Sequence, residues 1–366
     1  MKPKIITNKR IASIIILCFA IMANVSLMAQ NADNILLKNY RPVSIYKIPV
    51  THIDRAAFPI IDVHSHDYAK NDEEIKQWIK NMDVCGIEKT IVLTQTSGLK
   101  FDTIYNLYSK YGSRFEIWCG FDYTDYDKQG YGPAAVKELE RCYKMGARGV
   151  GEEGDKGRGM FFNDPVKAWG MHFDDPRMKP LFEKCAQLDM PISIHVADPI
   201  WMYEKIDSTN DGLMNAQDWR IDMTKPEIIG FDALLQTLEN AIKNNPKTTF
   251  IACHFANLNH DMTKLGVLFD KYPNFFADIS ARYAESAPIP RYMKTFYEKY
   301  QDRLLYGTDM SYDTSMYRIT FRVLESNDEH FYEIGLFGYH WALNGFGLSK
   351  EILKKLYHDN AVKILN

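Results

Sequence analysis

A chain of 366 residues, 46% hydrophobic and 25% charged, can bury one large core, and a single α/β barrel would use nearly all of it, although length alone leaves two smaller domains open. A formal net charge of −3 excludes nucleic-acid binding driven by charge. The cysteines are scattered at irregular spacings, which excludes a disulfide framework.

Residues 1–29 read as a secretory signal peptide. Lys2, Lys4, Lys9 and Arg10 precede an apolar run from Ile11 to Ala23, and Leu27-Met28-Ala29 offers a small residue for cleavage. A membrane anchor is the rival, but Asn24 and Ser26 interrupt the run before the roughly 20 apolar residues that a spanning helix needs. Cys18 follows Leu17 rather than a small residue, so lipidation is not expected. The mature protein is therefore expected to be exported, periplasmic or secreted, with no stable membrane anchor. Cleavage would move its formal charge from −3 to −7. Five cysteines would remain, Cys85, Cys119, Cys142, Cys185 and Cys253, each expected as a small buried hydrophobe.

Residues 30–58 read as an extended N-terminal arm, and residues 59–366 as one barrel domain. Short β-rich runs are expected near 60–64, 90–94, 116–121, 147–152, 191–196, 248–254, 275–280 and 304–309. Amphipathic helices are expected near 73–85, 100–111, 133–145, 177–189, 231–244, 261–271, 291–301 and 350–364. Eight strands alternating with helices is the count of a (β/α)8 TIM barrel. An open doubly wound sheet is the alternative, but it would place its ligand where strand order reverses. Two connections, 153–176 with its GEEGDKGRG stretch and 197–229, are long enough to serve a site at the barrel mouth.

The chemistry sits at the strand ends. Pro59-Ile60-Ile61-Asp62-Val63-His64-Ser65-His66 is an apolar strand closing on two histidines, and a period of two puts both rings on one side. Alone, His-x-His is a weak signal. His195 closes PISIH, His254 closes FIACH and Asp309 closes LLYGTD. Burying these five groups together without a cation would cost several kcal/mol in desolvation, and a shared divalent ion removes that difficulty.

PIIDVHSH, ISIHVADP, IACHFANL and LLYGTD resemble the metal-site strands of the amidohydrolase superfamily, in its amidohydrolase-related branch, over residues 59 to 364. The resemblance implies a metal-dependent barrel enzyme: a hydrolase, a lactonase or a non-oxidative decarboxylase. It implies His64, His66, His195 and Asp309 as ligands, with His254 orienting water or holding a second ion. Glu152 or Glu153 stands where some members carry a residue bridging two metals, and only one of the two can face the mouth. Homodimers are common among such relatives.

An ion held by imidazoles and a carboxylate can lower the pKa of bound water to near 7. Asp309 and His254 are the expected catalytic residues, Asp309 as the base that returns its proton to the leaving group and His254 as a donor to the oxyanion. The ion is expected to be zinc, with manganese or iron as alternatives, and one ion is favoured over two. Arg282, ahead of Lys156 and Arg158, is the candidate for binding an anionic substrate group. Trp201 and Tyr203 are candidates for an apolar or sugar-stacking wall. His172, His260, His330, His340 and His358 are expected to be structural, and Asp62 to make a local hydrogen bond. No GxSxG, Walker loop, GxGxxG or CxxC cluster occurs.

The leading expectation is thus hydrolysis of an ester, lactone or amide bond in a small polar, acidic or sugar-derived molecule. Decarboxylation of an aromatic acid is the alternative, and a non-catalytic ligand-binding barrel is a third reading.

Overall fold

A computed structural model describes residues 32–365. The expected signal peptide, residues 1–29, lies outside them. The chain divides into two units, Met1–Pro42 and Val43–Asn366. The described part of the first holds one short 3-10 turn, Leu37–Asn39. The second begins with an arm, residues 43–53, that has no regular structure, and then enters the barrel.

Eight parallel barrel strands follow: β1 (Ile60–Ser65), β2 (Ile87–Leu93), β3 (Phe115–Trp118), β4 (Val150–Asp155), then, past a small antiparallel hairpin of β5 (Gly159–Met160) and β6 (Ala168–Trp169), β7 (Ile192–Val196), β8 (Phe250–Ala252), β9 (Phe275–Asp278) and β10 (Leu304–Leu305). They pair in chain order as β1-β2-β3 and β4-β7-β8-β9-β10. A parallel bridge from Cys119 to Val150 joins the two runs. The ring closes where Val63 N–H donates to Tyr306 C=O at 3.0 Å. Every residue of β1, β4, β7, β8, β9 and β10 is buried, as expected of strands covered on both faces.

Each barrel strand is followed by a helix: α1 (Asp72–Cys85), α2 (Gly98–Tyr108), α3 (Tyr131–Met145), α4 (Lys179–Gln187), α5 (Phe231–Asn244), α6 (Met262–Lys271), α7 (Pro290–Tyr300) and α8 (Thr314–Glu325). The α8 helix is a correction, because the sequence pattern puts the last helix at 350–364. Thr314, Tyr317, Ile319, Thr320, Phe321 and Val323 favour strands at least as much as helices, so its propensity signal is mixed. The segment 350–365 is a further helical stretch, α9. Its Ala361, Ile364 and Leu365 join the barrel interior formed by Ile61, Val63, Ile91, Leu93, Trp118, Ile251, Phe276 and Leu305.

Two of the register irregularities along the strands bear on the site. Asp62 pairs with Thr90 and Ser65 with Val92, so three steps on β1 match two on β2. Likewise Val150 pairs with Ile192 and Glu153 with Ile194. An extra residue of this kind re-aims side chains. The first irregularity leaves Asp62 accepting from the backbone N–H groups of His64 and Thr308 and from the Thr308 hydroxyl, while His64 turns to the mouth. The second separates Glu152 from Glu153. The five described cysteines are buried and free. Among the described residues no helix is long and apolar enough to cross a membrane.

Candidate metal centre

Several residues just beyond the strand ends adopt left-handed backbone angles that side chains disfavour: Gln95, Ala197, His254, Ala281 and Asp309, with φ between +50° and +60°. The expected strand 248–254 stops at Ala252, and the chain then makes a tight turn in which His254, Phe255, Ala256 and Asn257 all have positive φ. That turn carries the His254 ring into the mouth. Gly307 allows the close approach on the other side, since a Cβ there would lie 2.8 Å from that of His64.

The result is one cluster. His66 Nε2 lies 3.1 Å from Asp309 Oδ1 and 3.5 Å from Glu152 Oε2. His64 Nε2 lies 3.7 Å from both Glu152 Oε1 and Asp309 Oδ1. His195 Nδ1 is 2.7 Å from Glu152 Oε1. His254 Nε2 is 3.5 Å from Glu152 Oε1 and 3.5 Å from Asp309 Oδ2. Donors around one small divalent ion, each about 2.0–2.1 Å from it, stand roughly 3–3.5 Å apart. The sequence-predicted residues His64, His66, His195, His254, Asp309 and Glu152 are therefore all brought together.

Four acceptors fix which nitrogen of each ring faces inward. His66 Nδ1 points at the Leu93 carbonyl at 2.8 Å, and His254 Nδ1 at the Ser280 carbonyl at 2.8 Å. His64 Nδ1 meets Asp278 Oδ2 at 2.8 Å, and His195 Nε2 meets Asp198 Oδ1 at 3.2 Å. A neutral ring that donates outward presents a bare nitrogen inward, which is what a cation requires. His64 Nε2 is buried with no hydrogen-bond partner, an orphan atom that a coordinated ion would satisfy. The donor set of imidazoles and carboxylates suits zinc, manganese or iron.

The carboxylates draw positive charge into the cluster, onto the rings unless a cation supplies it. Burial opposes a charge on His64, yet the Asp278 carboxylate overrides it and holds the ring's pKa well above the usual value. Burial likewise opposes ionising Asp309, but the facing His64 and His66 keep its carboxyl below the usual range. His254 is pushed down, by burial first and then by the Arg282 guanidinium. With the Nδ1 proton directed at the Ser280 carbonyl, neutral His254 would present Nε2 as an acceptor or ligand.

Glu153 turns away from the centre. Its Oε1 accepts from Phe121 N–H and the Asn163 amide, and its Oε2 from the Tyr123 hydroxyl at 2.7 Å. Burial raises its pKa to about 7. A carboxyl raised in the folded state gives stability that is complete below its unfolded pKa and lost as pH rises through the folded value. Glu153→Gln is expected to flatten the fall in thermal midpoint between about pH 4.5 and 7.5, an effect of roughly 3 kcal/mol at the upper end. A midpoint profile identical to that of the parent protein would remove Glu153 from this role.

Beside the cluster lies a cavity of about 270 Å³, lined by Lys156, Asp198, Met202, Trp219, Arg282, Glu285, Leu336, Phe337 and Tyr339 among others. The long connections after β4 and β7 do supply its wall. Trp201 and Tyr203 do not line it. Trp201 packs against Tyr339 and Trp341 from behind, and Tyr203 packs on Phe231; their position after β7 was right, but their rings turn into the core. Asp278, Ser280, Asp198 and Tyr68, whose hydroxyl reaches Asp309 Oδ1 at 3.3 Å, were missed. Asp278 and Ser280 stand in an expected strand, FFADIS, and a carboxylate at a barrel strand end was signal enough.

The model of the amidohydrolase family matches residues 125–366. Among curated proteins no relative matches this chain. Solved structures share the fold. A dihydroxybenzoic acid decarboxylase from Polaromonas sp. JS666, with bound manganese and 2-nitroresorcinol, is 14% identical, with 84% of this chain and 97% of that one covered and a TM-score of 0.54. A manganese complex of 5-carboxyvanillate decarboxylase from Novosphingobium aromaticivorans DSM 12444 is 15% identical, over 87% and 99%, with a TM-score of 0.51. A TIM-barrel protein from Bordetella bronchiseptica is 13% identical, over 84% and 98%, also with a TM-score of 0.51. With a family match over most of its length and a barrel mouth built for a cation, the chain belongs to the amidohydrolase family of metal-dependent enzymes.

Proposed function

We propose that this protein hydrolyses an ester, lactone or amide bond of a small acidic molecule at a divalent metal centre held by His64, His66, His195 and Asp309, with Glu152 completing it. One observation carries the reading: four imidazoles, each tied outward to an acceptor, turn their other ring nitrogens toward two carboxylates. When bound, the ion supplies Lewis acidity, lowering the pKa of water and polarising the substrate carbonyl.

The chain's own residues do the rest. Asp309, kept ionised by its histidines, takes a proton from the attacking water and passes it to the departing oxygen or nitrogen. Tyr68 holds that carboxylate through its hydroxyl. His254, an acceptor at Nε2, orients the water or ligates. Glu152 directs Oε1 to His195 and His254 and Oε2 to His66, an arrangement compatible with one ion or with two. Residues 1–29 support export of the enzyme.

Decarboxylation of an aromatic acid is the second reading. It is favoured by the Trp219, Phe337 and Tyr339 walls and by the two cations of the cavity. A panel of lactones, esters, amides and aromatic carboxylates, assayed with and without chelator, separates the two. Chelator-sensitive hydrolysis of at least one panel member is expected. Carbon dioxide release with no hydrolysis would replace the proposal by the second reading, and saturable binding without turnover would leave a binding barrel.

A further inference from the structure

Arg282 is the obvious anion-binding residue by sequence, but its fork is already engaged. Its Nε and Nη2 donate to Asn257 Oδ1 at 2.9 and 2.6 Å, and its Nη1 donates to the Ala281 carbonyl at 3.0 Å and faces Glu285 at 3.5 Å. Lys156 is placed differently. Among the described residues its Nζ has one polar partner, Asp198 Oδ2 at 2.8 Å, and otherwise stands over the rings of Phe162 and Trp219 at 5.4 and 5.7 Å. An ammonium has three donors, and ring faces satisfy none of them as a carboxylate does.

Lys156 also stands where open space converges. It lines the 270 Å³ cavity, a neighbouring one of about 440 Å³ and a third of about 330 Å³, and the first two share His195 and Asp309 with it. Its backbone is braced. Asp155 accepts from Gly157 and Gly159 N–H at 2.8 and 3.0 Å and pairs with His172 at 2.6 Å, while Gly157 C=O accepts from Ile229. Gly157 and Gly159 have φ of +113° and +97°, so the turn that presents Lys156 is built for its shape.

We propose that Lys156 is the specificity-determining residue of this site, binding a carboxylate of a small acid whose reacting carbonyl lies at the His195–His254–Asp309 end of the cavity. The proposal rests on the hydrolase reading for the reaction, but not for the binding. A carboxylate suits the donors: with one on Asp198, the ammonium keeps two for the two oxygens of a single carboxylate, and a charge already partly offset by Asp198 favours a singly over a doubly charged anion.

The test is calorimetric binding of benzoate and D-gluconate, their neutral counterparts benzamide and sorbitol, and inorganic phosphate, to metal-loaded protein of verified metal content. The parent, Lys156→Met and Lys156→Met/Asp198→Asn are compared. At least one acid is expected to bind the parent and to weaken on the order of tenfold or more in both variants, with its neutral counterpart unchanged and phosphate weaker than the acid. Binding of neither acid, equal affinity in Lys156→Met, or restored affinity in the double variant would overturn the proposal, the last because Lys156 would then only neutralise Asp198. Lys156-dependent binding in a protein that hydrolyses no panel member would instead sink the hydrolase reading alone.

Discussion

Asp309→Asn is expected to lower kcat by a factor of about 10² to 10⁴, the usual worth of a positioned general base, in a protein that still folds. The substitution keeps size and shape but removes the acceptor of the water proton. Asp309 is suited to that role because His64 and His66 hold it ionised and because it is the most open group of the cluster, with a side chain 22% exposed while that of His64 is fully buried. Metal content decides how the loss is read. An inactive variant with full metal has lost its base, and one without metal has lost a ligand. Full metal with unchanged kcat would take Asp309 out of the mechanism.

Removing the ion is expected to abolish turnover and to lower the thermal midpoint by on the order of 8 °C, with both restored by zinc or manganese. The stability arises because the ion binds the folded state alone. At a free concentration a thousand times the dissociation constant this gives about 4 kcal/mol, and a chain of this size loses roughly 2 °C or more per kcal/mol. Without the ion, buried His64 Nε2 has no partner, and buried Glu152 and partly exposed Asp309 rely on protonated rings. Binding is expected to weaken as pH falls toward 6, since the ligands must be deprotonated. Dialysis against chelator followed by scanning calorimetry and an activity assay checks this. A stripped protein with unchanged midpoint and rate would refute the metal centre.

How far the sequence carries this picture differs from residue to residue. His64, His66, His195, His254 and Asp309 were legible because each ends an apolar run, and strand ends of a barrel converge on one face. Glu152 and Glu153 were not separable in advance, since the choice depends on an extra residue in the β4 pairing, which composition does not encode. The β1 irregularity likewise defeats a strict period of two: Asp62 and His64 serve opposite sides although they are two apart. Asp278 was overlooked because it acts through His64. Trp201 and Tyr203 lay on the right connection, but side-chain direction in a long loop follows from tertiary packing, and local sequence does not specify it. The zinc expectation also rests on ligand type alone, and manganese fits the same donors.

The cluster draws on residues from His64 to Asp309, carried by five different strands, and its two ends meet where β1 closes on the last strand, with Val63 N–H donating to Tyr306 C=O and His64 C=O accepting from Thr308 and Asp309 N–H. The full ligand set therefore has to wait for the last strand to join the first: a partly opened chain keeps at most the Glu152–His195–His254 group of neighbouring strands. Metal held by the complete set thus doubles as a mark of completed assembly, one that distinguishes a closed barrel from a collapsed intermediate of similar helical content.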